Sequence, residues 1–226
     1  MKLLVLGRGK TGGLVAQVAR ERGHEVSAIG SADNKSASAL TRESLSGIDV
    51  VIDFTAPVAV LENIEACVSA GAAMVVGTTG WYEQIPRVRA QVEKAGSALL
   101  YASNFSVGVN LFFDIARASA AALQHGYTGK IVEAHHALKK DKPSGTAAAL
   151  RRIVAESGGQ ELPIDSIREG EVVGMHRLEF DSAGDTIVLT HDAKSRRGFA
   201  EGAVRAAEWM RGKKGFYDFQ QVWREV

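Results

Sequence analysis

The sequence has one cysteine, no charge excess and no long apolar run, and each scarcity removes a class of protein. A single thiol, Cys67, excludes an internal disulfide framework and a cysteine-rich zinc site and suits a reducing compartment. It is expected as a small core residue. Lys and Arg number 27 against 26 Asp and Glu, so no global field draws the chain onto nucleic acid or a membrane surface. Any anion site must be local. The apolar start Leu3-Leu4-Val5-Leu6 is broken by Gly7 and Gly9, too early for a signal-peptide core or a membrane span, and no later apolar run is long enough to cross a bilayer. The expectation is a cytoplasmic protein with no nucleic-acid or membrane partner. No internal repeat, low-complexity tract or disordered linker stands out. At 226 residues the chain has room for one large domain or two small ones.

What is present is an alternation of short β-rich runs and helical periods. Lys2 to Leu6, Glu25 to Ile29, Val50 to Phe54, Ala73 to Val76 and Ala98 to Tyr101 read as strands. Gly12 to Arg22, Val58 to Ala70 and Tyr82 to Ala95 carry apolar residues at helical spacing, with Gly23, Gly71 and Gly96 where helices commonly stop. This βαβ series predicts a doubly wound parallel sheet of Rossmann type. After about Val107 the pattern changes to a helix (Val107 to Leu123), a strand (Lys130 to His136), a helix (Gly145 to Glu156) and three strand-like runs. Those runs, Ser166 to Glu171, Gly174 to Asp181 and Asp185 to His191, with a turn at Ser182-Ala183-Gly184, look antiparallel. The fold class is therefore α/β with a second α+β lobe whose sheet is mixed or antiparallel. Residues 1–106 with 196–226 would form the dinucleotide-binding domain, the tail helix Phe199 to Met210 returning to it, and residues 107–195 the substrate-binding and oligomerisation domain.

Gly7-Arg8-Gly9-Lys10-Thr11-Gly12 is a G-x-G-x-x-G that follows a strand and opens a helix. Gly7 permits the tight turn, Gly9 lets backbone approach a pyrophosphate, Gly12 allows close packing, and the phosphates meet the helix N-terminus. A P-loop would need glycine where Leu4 stands, so that reading fails. The ribose 2′ position is read about 20 residues on, at the tip of the second strand. There the chain runs Ile29-Gly30-Ser31-Ala32-Asp33, with no carboxylate at the tip, Asp33 just beyond and Lys35 following. With Arg8 and Lys10 near the phosphates this tolerates or favours NADP, and the cofactor stays open between NADPH and NADH. The loops at Phe54-Thr55-Ala56-Pro57 and Gly77-Thr78-Thr79-Gly80 follow predicted strands and are placed to line the nicotinamide half.

The densest chemistry lies between Glu133 and Thr146. His135 and His136 end a strand, Lys139, Lys140 and Lys142 follow, and Ser144-Gly145-Thr146 starts an alanine-rich helix as a Ser N-cap with backbone N–H groups behind it. Cationic and neutral donors converge on one anion site; the plainer alternative is a solvated basic loop with one buried histidine. Adjacent histidines on a strand point to opposite faces and no cysteine or glutamate cluster completes a set, so no metal is expected.

Together these segments resemble dihydrodipicolinate reductase over nearly the whole chain. The resemblance rests on the Gly7 to Gly12 turn, Asp53-Phe54-Thr55, Gly77 to Gly80, Ser103-Asn104-Phe105-Ser106-Val107-Gly108-Val109-Asn110, the His135 to Thr146 segment, and Ser195-Arg196 with Phe199-Ala200. It implies NAD(P)H-dependent reduction of 4-hydroxy-tetrahydrodipicolinate, with loss of water, in lysine and diaminopimelate synthesis. It implies that Gly77, Thr78, Thr79, Ser103, Asn104 and Phe105 contact the cofactor, that His136, Lys139, Gly145 and Thr146 hold the substrate carboxylates, and that His135 and Lys139 carry the acid–base work. It implies a homotetramer built through the second lobe's sheet and a hinge that closes on substrate. The chain departs from the family's pattern at Lys142, usually alanine, in a dinucleotide turn one residue shorter, and in a short Ser31 to Ser46 region, which weakens the cofactor reading. Hydride transfer to a C=N bond needs a nearby acid, which His135 could supply, or Lys139 if cations such as Lys140 lower its pKa. The rivals are another two-lobe amino-acid or oxo-acid dehydrogenase, of aspartate or diaminopentanoate type, and a dinucleotide sensor without catalysis.

Overall fold

A computed structural model describes residues 1–226 as two compact units, Met1–Ser106 with Arg197–Val226 and Val107–Arg196. In chain order the elements are β1 (Lys2–Leu6), α1 (Lys10–Glu21), β2 (Glu25–Ile29), β3 (Val50–Asp53), α2 (Pro57–Ala70), β4 (Met74–Val76), α3 (Ile85–Ala95) and β5 (Ala98–Tyr101). There follow α4 (Val107–Ser119), β6 (Thr128–His135), α5 (Gly145–Gly158), β7 (Ile164–Arg168), β8 (Met175–Asp181) and β9 (Thr186–Asp192), then α6 (Arg197–Met210), β10 (Gly215–Asp218) and α7 (Phe219–Val222).

The first unit holds a six-stranded parallel sheet in the order β10-β5-β4-β3-β1-β2. Its strands are apolar without alternation because helices cover both faces. Leu3, Val5, Val50, Ile52 and Leu100 face Val15 and Val18 of α1 and Ala203, Val204 and Ala207 of α6. Leu4, Leu6, Val51, Met74 and Leu99 face Val60, Ile64 and Cys67 of α2 and Val88 and Val92 of α3. Each Val, Leu, Ile or Met fully buried in this way contributes about 1.5–3 kcal/mol. Cys67 is buried with them, and its burial, with the Asp53 carboxylate adding, pushes the thiol up to about 12. The helices stop where expected: Gly71 and Gly96 adopt left-handed φ of 79° and 59° after α2 and α3. Close approach of α6 needs Gly202, where a Cβ would stand 1.8 Å from the Phe105 carbonyl oxygen.

The second unit is a four-stranded sheet, β7-β6-β8-β9, with α4 and α5 packed on one face through Phe112, Phe113, Leu150, Ile153, Ile131, Leu178 and Phe180. The first strand-like run is corrected in place and direction: it sits at Ile164–Arg168 rather than 166–171 and pairs parallel to β6, so that of the two sheet types expected the mixed one is present. The reason is local: β6, α5 and β7 form a strand–helix–strand unit, whose crossover brings the second strand back parallel. The sixth strand of the large sheet, β10, is Gly-Phe-Tyr-Asp, a segment without a strand pattern in isolation.

Candidate functional site

In the first unit the strand order reverses between β1 and β3, and the loops that follow these two strands meet there. Ligands of open α/β sheets bind at such a switch point. Gly7 has φ 99°, and a Cβ on it would lie 2.2 Å from the Phe54 carbonyl oxygen; a Cβ on Gly12 would lie 2.0 Å from the Gly7 carbonyl oxygen. Both glycines are therefore required by the protein's own packing. Gly9 differs: nothing lies within 4 Å of its would-be Cβ, and it precedes the first turn of α1, which has no acidic residue and no side-chain cap. This is a bare helix N-terminus with open space before it, suited to a phosphate.

Two adjoining depressions share Gly9, Phe54 and Thr55. One, of about 290 Å³, is lined also by Lys10, Thr11, Gly12, Gly77, Thr78 and Thr79. The other, of about 320 Å³, takes in Gly7, Arg8, Ile29, Gly30, Ser31, Asn34 and the exposed Val58. The residues fit a dinucleotide laid across the switch point, with its pyrophosphate at Gly9.

The floor between the loops is made by Asp53, which is fully buried. Its Oδ1 accepts from the Thr55 N–H at 2.9 Å, the Thr55 hydroxyl at 2.8 Å and the Thr78 hydroxyl at 2.5 Å, and its Oδ2 from Asn63 at 2.8 Å. Asn63 in turn accepts from Asn34 at 2.9 Å. This carboxylate ties three loops together, a role sequence reading missed. It also changes the reading of Thr78, whose hydroxyl points down into this network, while Thr79 is exposed. Gly77 is needed for another reason: a Cβ there would strike the Phe54 ring at 2.3 Å. Ser103, Asn104 and Phe105 follow β5 but line neither depression. The Phe105 ring is 2% exposed and packs between Phe54 and Phe219 in the core. Arg8 is moved too: its guanidinium lies over the end of β2 and not at the pyrophosphate turn.

In the second unit β6 ends with Glu133, Ala134 and His135, of which Glu133 is fully buried. His135 Nδ1 donates to Glu133 Oε2 at 2.5 Å, and Arg168 of β7 donates to Glu133 Oε1 at 2.7 Å. The Ser144 N–H reaches the same oxygen at 3.3 Å. Burial raises the Glu133 pKa, but Arg168, Ser166 and His135 together outweigh it and hold the carboxyl down to about 2. For His135 burial is the largest influence and lowers the pKa; Lys139 and Arg168 add to it, against Glu133. The imidazole is thus neutral at pH 7 with its proton on Nδ1, and Nε2 carries the lone pair. Gly174 gives that nitrogen space, for a Cβ there would stand 3.1 Å from it.

Arg168 also donates to the Asp141 carbonyl at 2.7 Å, which anchors the loop carrying Lys139. Lys139 Nζ lies 2.9 Å from Asp141 Oδ1, so its near charged partner is a carboxylate and not Lys140. His136 is half-buried outside the strand, and Lys140 and Lys142 are exposed. Ser144 caps α5 by accepting from the Ala147 N–H at 3.2 Å and shares a hydrogen bond with His176 Nε2 at 3.2 Å. It is 3% exposed and twice engaged, and in this arrangement it holds the helix start. Gly145 faces open space at that helix end.

His176, Arg168 and Gly174 were not foreseen. The only sequence signal for His176 was a lone histidine at an inward position of a strand. Its ring stands edge-on to His135 at 5.2 Å, its Nδ1 has no partner, and burial, with His135 adding, lowers its pKa to about 3. Donor atoms of Glu133, His135 and His176 lie within 4.8 Å of one another. The statement that no glutamate completes a histidine set is therefore corrected, although both Glu133 oxygens already accept hydrogen bonds that a cation would have to displace.

Comparison with known proteins gives a consistent result over the whole chain. The model of the N-terminus of dihydrodipicolinate reductase matches residues 1–105, and that of its C-terminus residues 108–223. The 4-hydroxy-tetrahydrodipicolinate reductase of Christiangramia forsetii is 36% identical, over 98% of this chain and 97% of its own length. That of Chromobacterium violaceum is 41% identical over 79% of this chain and 74% of its own length. Among solved structures, a dipicolinate-bound dihydrodipicolinate reductase from Paenisporosarcina sp. TG-14 superposes with a TM-score of 0.79 at 23% identity, covering 98% of this chain and 99% of that one. An amine dehydrogenase from Mycobacterium smegmatis shares the fold at a TM-score of 0.62 and 10% identity, over 95% and 93% of the two chains.

Proposed function

The chain belongs to the dihydrodipicolinate reductase family, and from that premise we propose that it reduces 4-hydroxy-tetrahydrodipicolinate to tetrahydrodipicolinate with loss of water. The reaction serves lysine and diaminopimelate synthesis and uses NADH or NADPH, as the family does. When bound, the reduced nicotinamide supplies the hydride. Gly9, Lys10, Thr11 and Thr79 would hold the dinucleotide, with Gly7, Gly12, Phe54, Gly77 and Thr78 shaping its bed.

The observation that carries the chemistry is His135, neutral and held in one tautomer by Glu133, in the same loop cluster as the Lys139–Asp141 pair. Loss of water from the substrate removes a ring hydroxyl and a proton from the neighbouring ring carbon. In this reading the His135 Nε2 lone pair accepts that carbon-bound proton, and the Lys139 ammonium protonates the departing hydroxide. After hydride addition His135 returns its proton to the ring and Lys139 is reprotonated from solvent, so one proton is consumed for each hydride. The N-terminus of α5 at Gly145 and Thr146 suits one substrate carboxylate, and His136 with Lys139 the other. Alanine at His135 or at Lys139 should lower kcat by about 10²-fold or more, and the His135 variant should lose the acid limb of the pH–rate profile. Full activity in both variants, or an unchanged acid limb, would overturn these roles.

No helix is long and apolar enough to cross a membrane, which supports work in the cytoplasm. A homotetramer is supported by the sheet face turned away from α4 and α5, where Ile167 and Val188 are 39% and 45% exposed.

A further inference from the structure

We propose that His176 is a positioning residue for the dicarboxylate site: it fixes the Ser144 hydroxyl so that the proton, and not a lone pair, faces a substrate carboxylate at the start of α5. This rests on the proposed reading of the second unit as the substrate site. β8 runs antiparallel to β6 with His176 opposite Glu133, and both side chains are buried. Ser144 is held beside them at three points. Its N–H donates to Glu133 Oε1 at 3.3 Å, its Oγ accepts from the Ala147 N–H at 3.2 Å, and Oγ shares a hydrogen bond with His176 Nε2 at 3.2 Å. With the backbone and the side-chain oxygen both pinned, the freedom that remains is the direction of the O–H proton, and the His176 tautomer decides it.

The other ring nitrogen identifies the tautomer. His176 Nδ1 is buried without a partner. A proton on Nδ1 would leave a buried N–H unpaired, the rarest kind of orphan, whereas a proton on Nε2 leaves only a bare lone pair. Burial keeps the ring neutral, with its pKa lowered to about 3, so no imidazolium supplies both N–H groups. His176 Nε2 is therefore the donor. Ser144 Oγ then has both lone pairs occupied, by the Ala147 N–H and by His176, and no other group of the protein takes its proton. That proton joins the Gly145 N–H, at the open space before α5, as a donor to an anion. Under the opposite tautomer Ser144 would spend its proton on His176 and turn a lone pair towards the carboxylate.

Two measurements on the intact protein test this. In nitrogen NMR of the histidine rings, His176 should carry its proton on Nε2 with Nδ1 bare; a proton on Nδ1 overturns the proposal. In calorimetric titration with pyridine-2,6-dicarboxylate, reduced cofactor being present, Ser144→Ala and His176→Phe should each weaken binding by about 10-fold or more. Because His176 acts through the Ser144 hydroxyl, the double variant should bind within about threefold of Ser144→Ala alone. Losses that multiply in the double variant, or wild-type affinity in His176→Phe, show that His176 does not act through Ser144 and leave the dicarboxylate site standing. Should His176→Phe not fold, His176→Asn, whose amide falls short of the Nε2 position, takes its place in the cycle. If the wild type does not bind the dicarboxylate at all, the substrate reading of the second unit fails, and the role of His176 with it.

Discussion

Replacing Glu133 by glutamine tests the acid–base centre at its support. The carboxylate accepts on both sides, from His135 on Oε2 and from Arg168 and the Ser144 N–H on Oε1. Glutamine offers one acceptor and one donor, so one side must face a clash of donors. With the amide nitrogen towards His135, the imidazole proton moves to Nε2 and the base is lost. With it towards Arg168, the anchor of the Lys139 loop is loosened. Either way kcat should fall by roughly 10²-fold or more, the scale of a lost or misprotonated base. Breaking a dry ion pair costs about 3–5 kcal/mol. Arg168 retains the Asp141 and Ile167 carbonyls at 2.7 and 2.6 Å, so ~2–3 kcal/mol is the better expectation, or roughly 5–10 °C in a melting curve. Because Glu133 is held down to about 2, its contribution is complete above about pH 4.5 and disappears as pH falls towards 2. Melts by circular dichroism at pH 7 and pH 3 should therefore show the gap between wild type and variant narrowing in acid. A variant with wild-type kcat that melts within about 1 °C of wild type at pH 7 would refute the reasoning.

Gly9→Val should fold normally, since nothing lies within 4 Å of the new Cβ, yet lose dinucleotide binding in a fluorescence titration; unchanged affinity would mean that the pyrophosphate lies elsewhere. His176 is buried neutral, with its pKa lowered from 6.5 to about 3. The unfolded chain binds a proton that the folded one refuses, so stability should be intact above pH 6.5 and fall by up to about 1.4 kcal/mol per pH unit between there and pH 3. His176→Gln should flatten that part of the stability curve measured by urea unfolding, and a slope equal to wild type would contradict it.

The glycine turn was legible because its residues answer to geometry: Gly7 needs a positive φ, and Gly7 and Gly12 have no room for a side chain. The alternation of strands and helices was legible for the same kind of reason, since strands covered on both faces must be apolar throughout. β10 escaped because four residues with no apolar run gain their strand only by pairing with β5. The second site was half legible. His135, Lys139 and Ser144 stand together in the chain, but Arg168 reaches the same place from β7, and Gly174 and His176 from the residue before β8 and from its start, and sequence distance hides such convergence. The Ser144–His176 contact was not legible, because an N-cap looks alike in sequence whether or not its hydroxyl also meets a buried histidine.

The most direct test of the account is turnover itself. The unstable substrate would be generated in situ by its upstream synthase, and the absorbance of reduced cofactor followed with NADH and NADPH in parallel. The account predicts oxidation that depends on the synthase, proceeds with both cofactors and is lost in the Lys139→Ala variant. No synthase-dependent oxidation with either cofactor would contradict it.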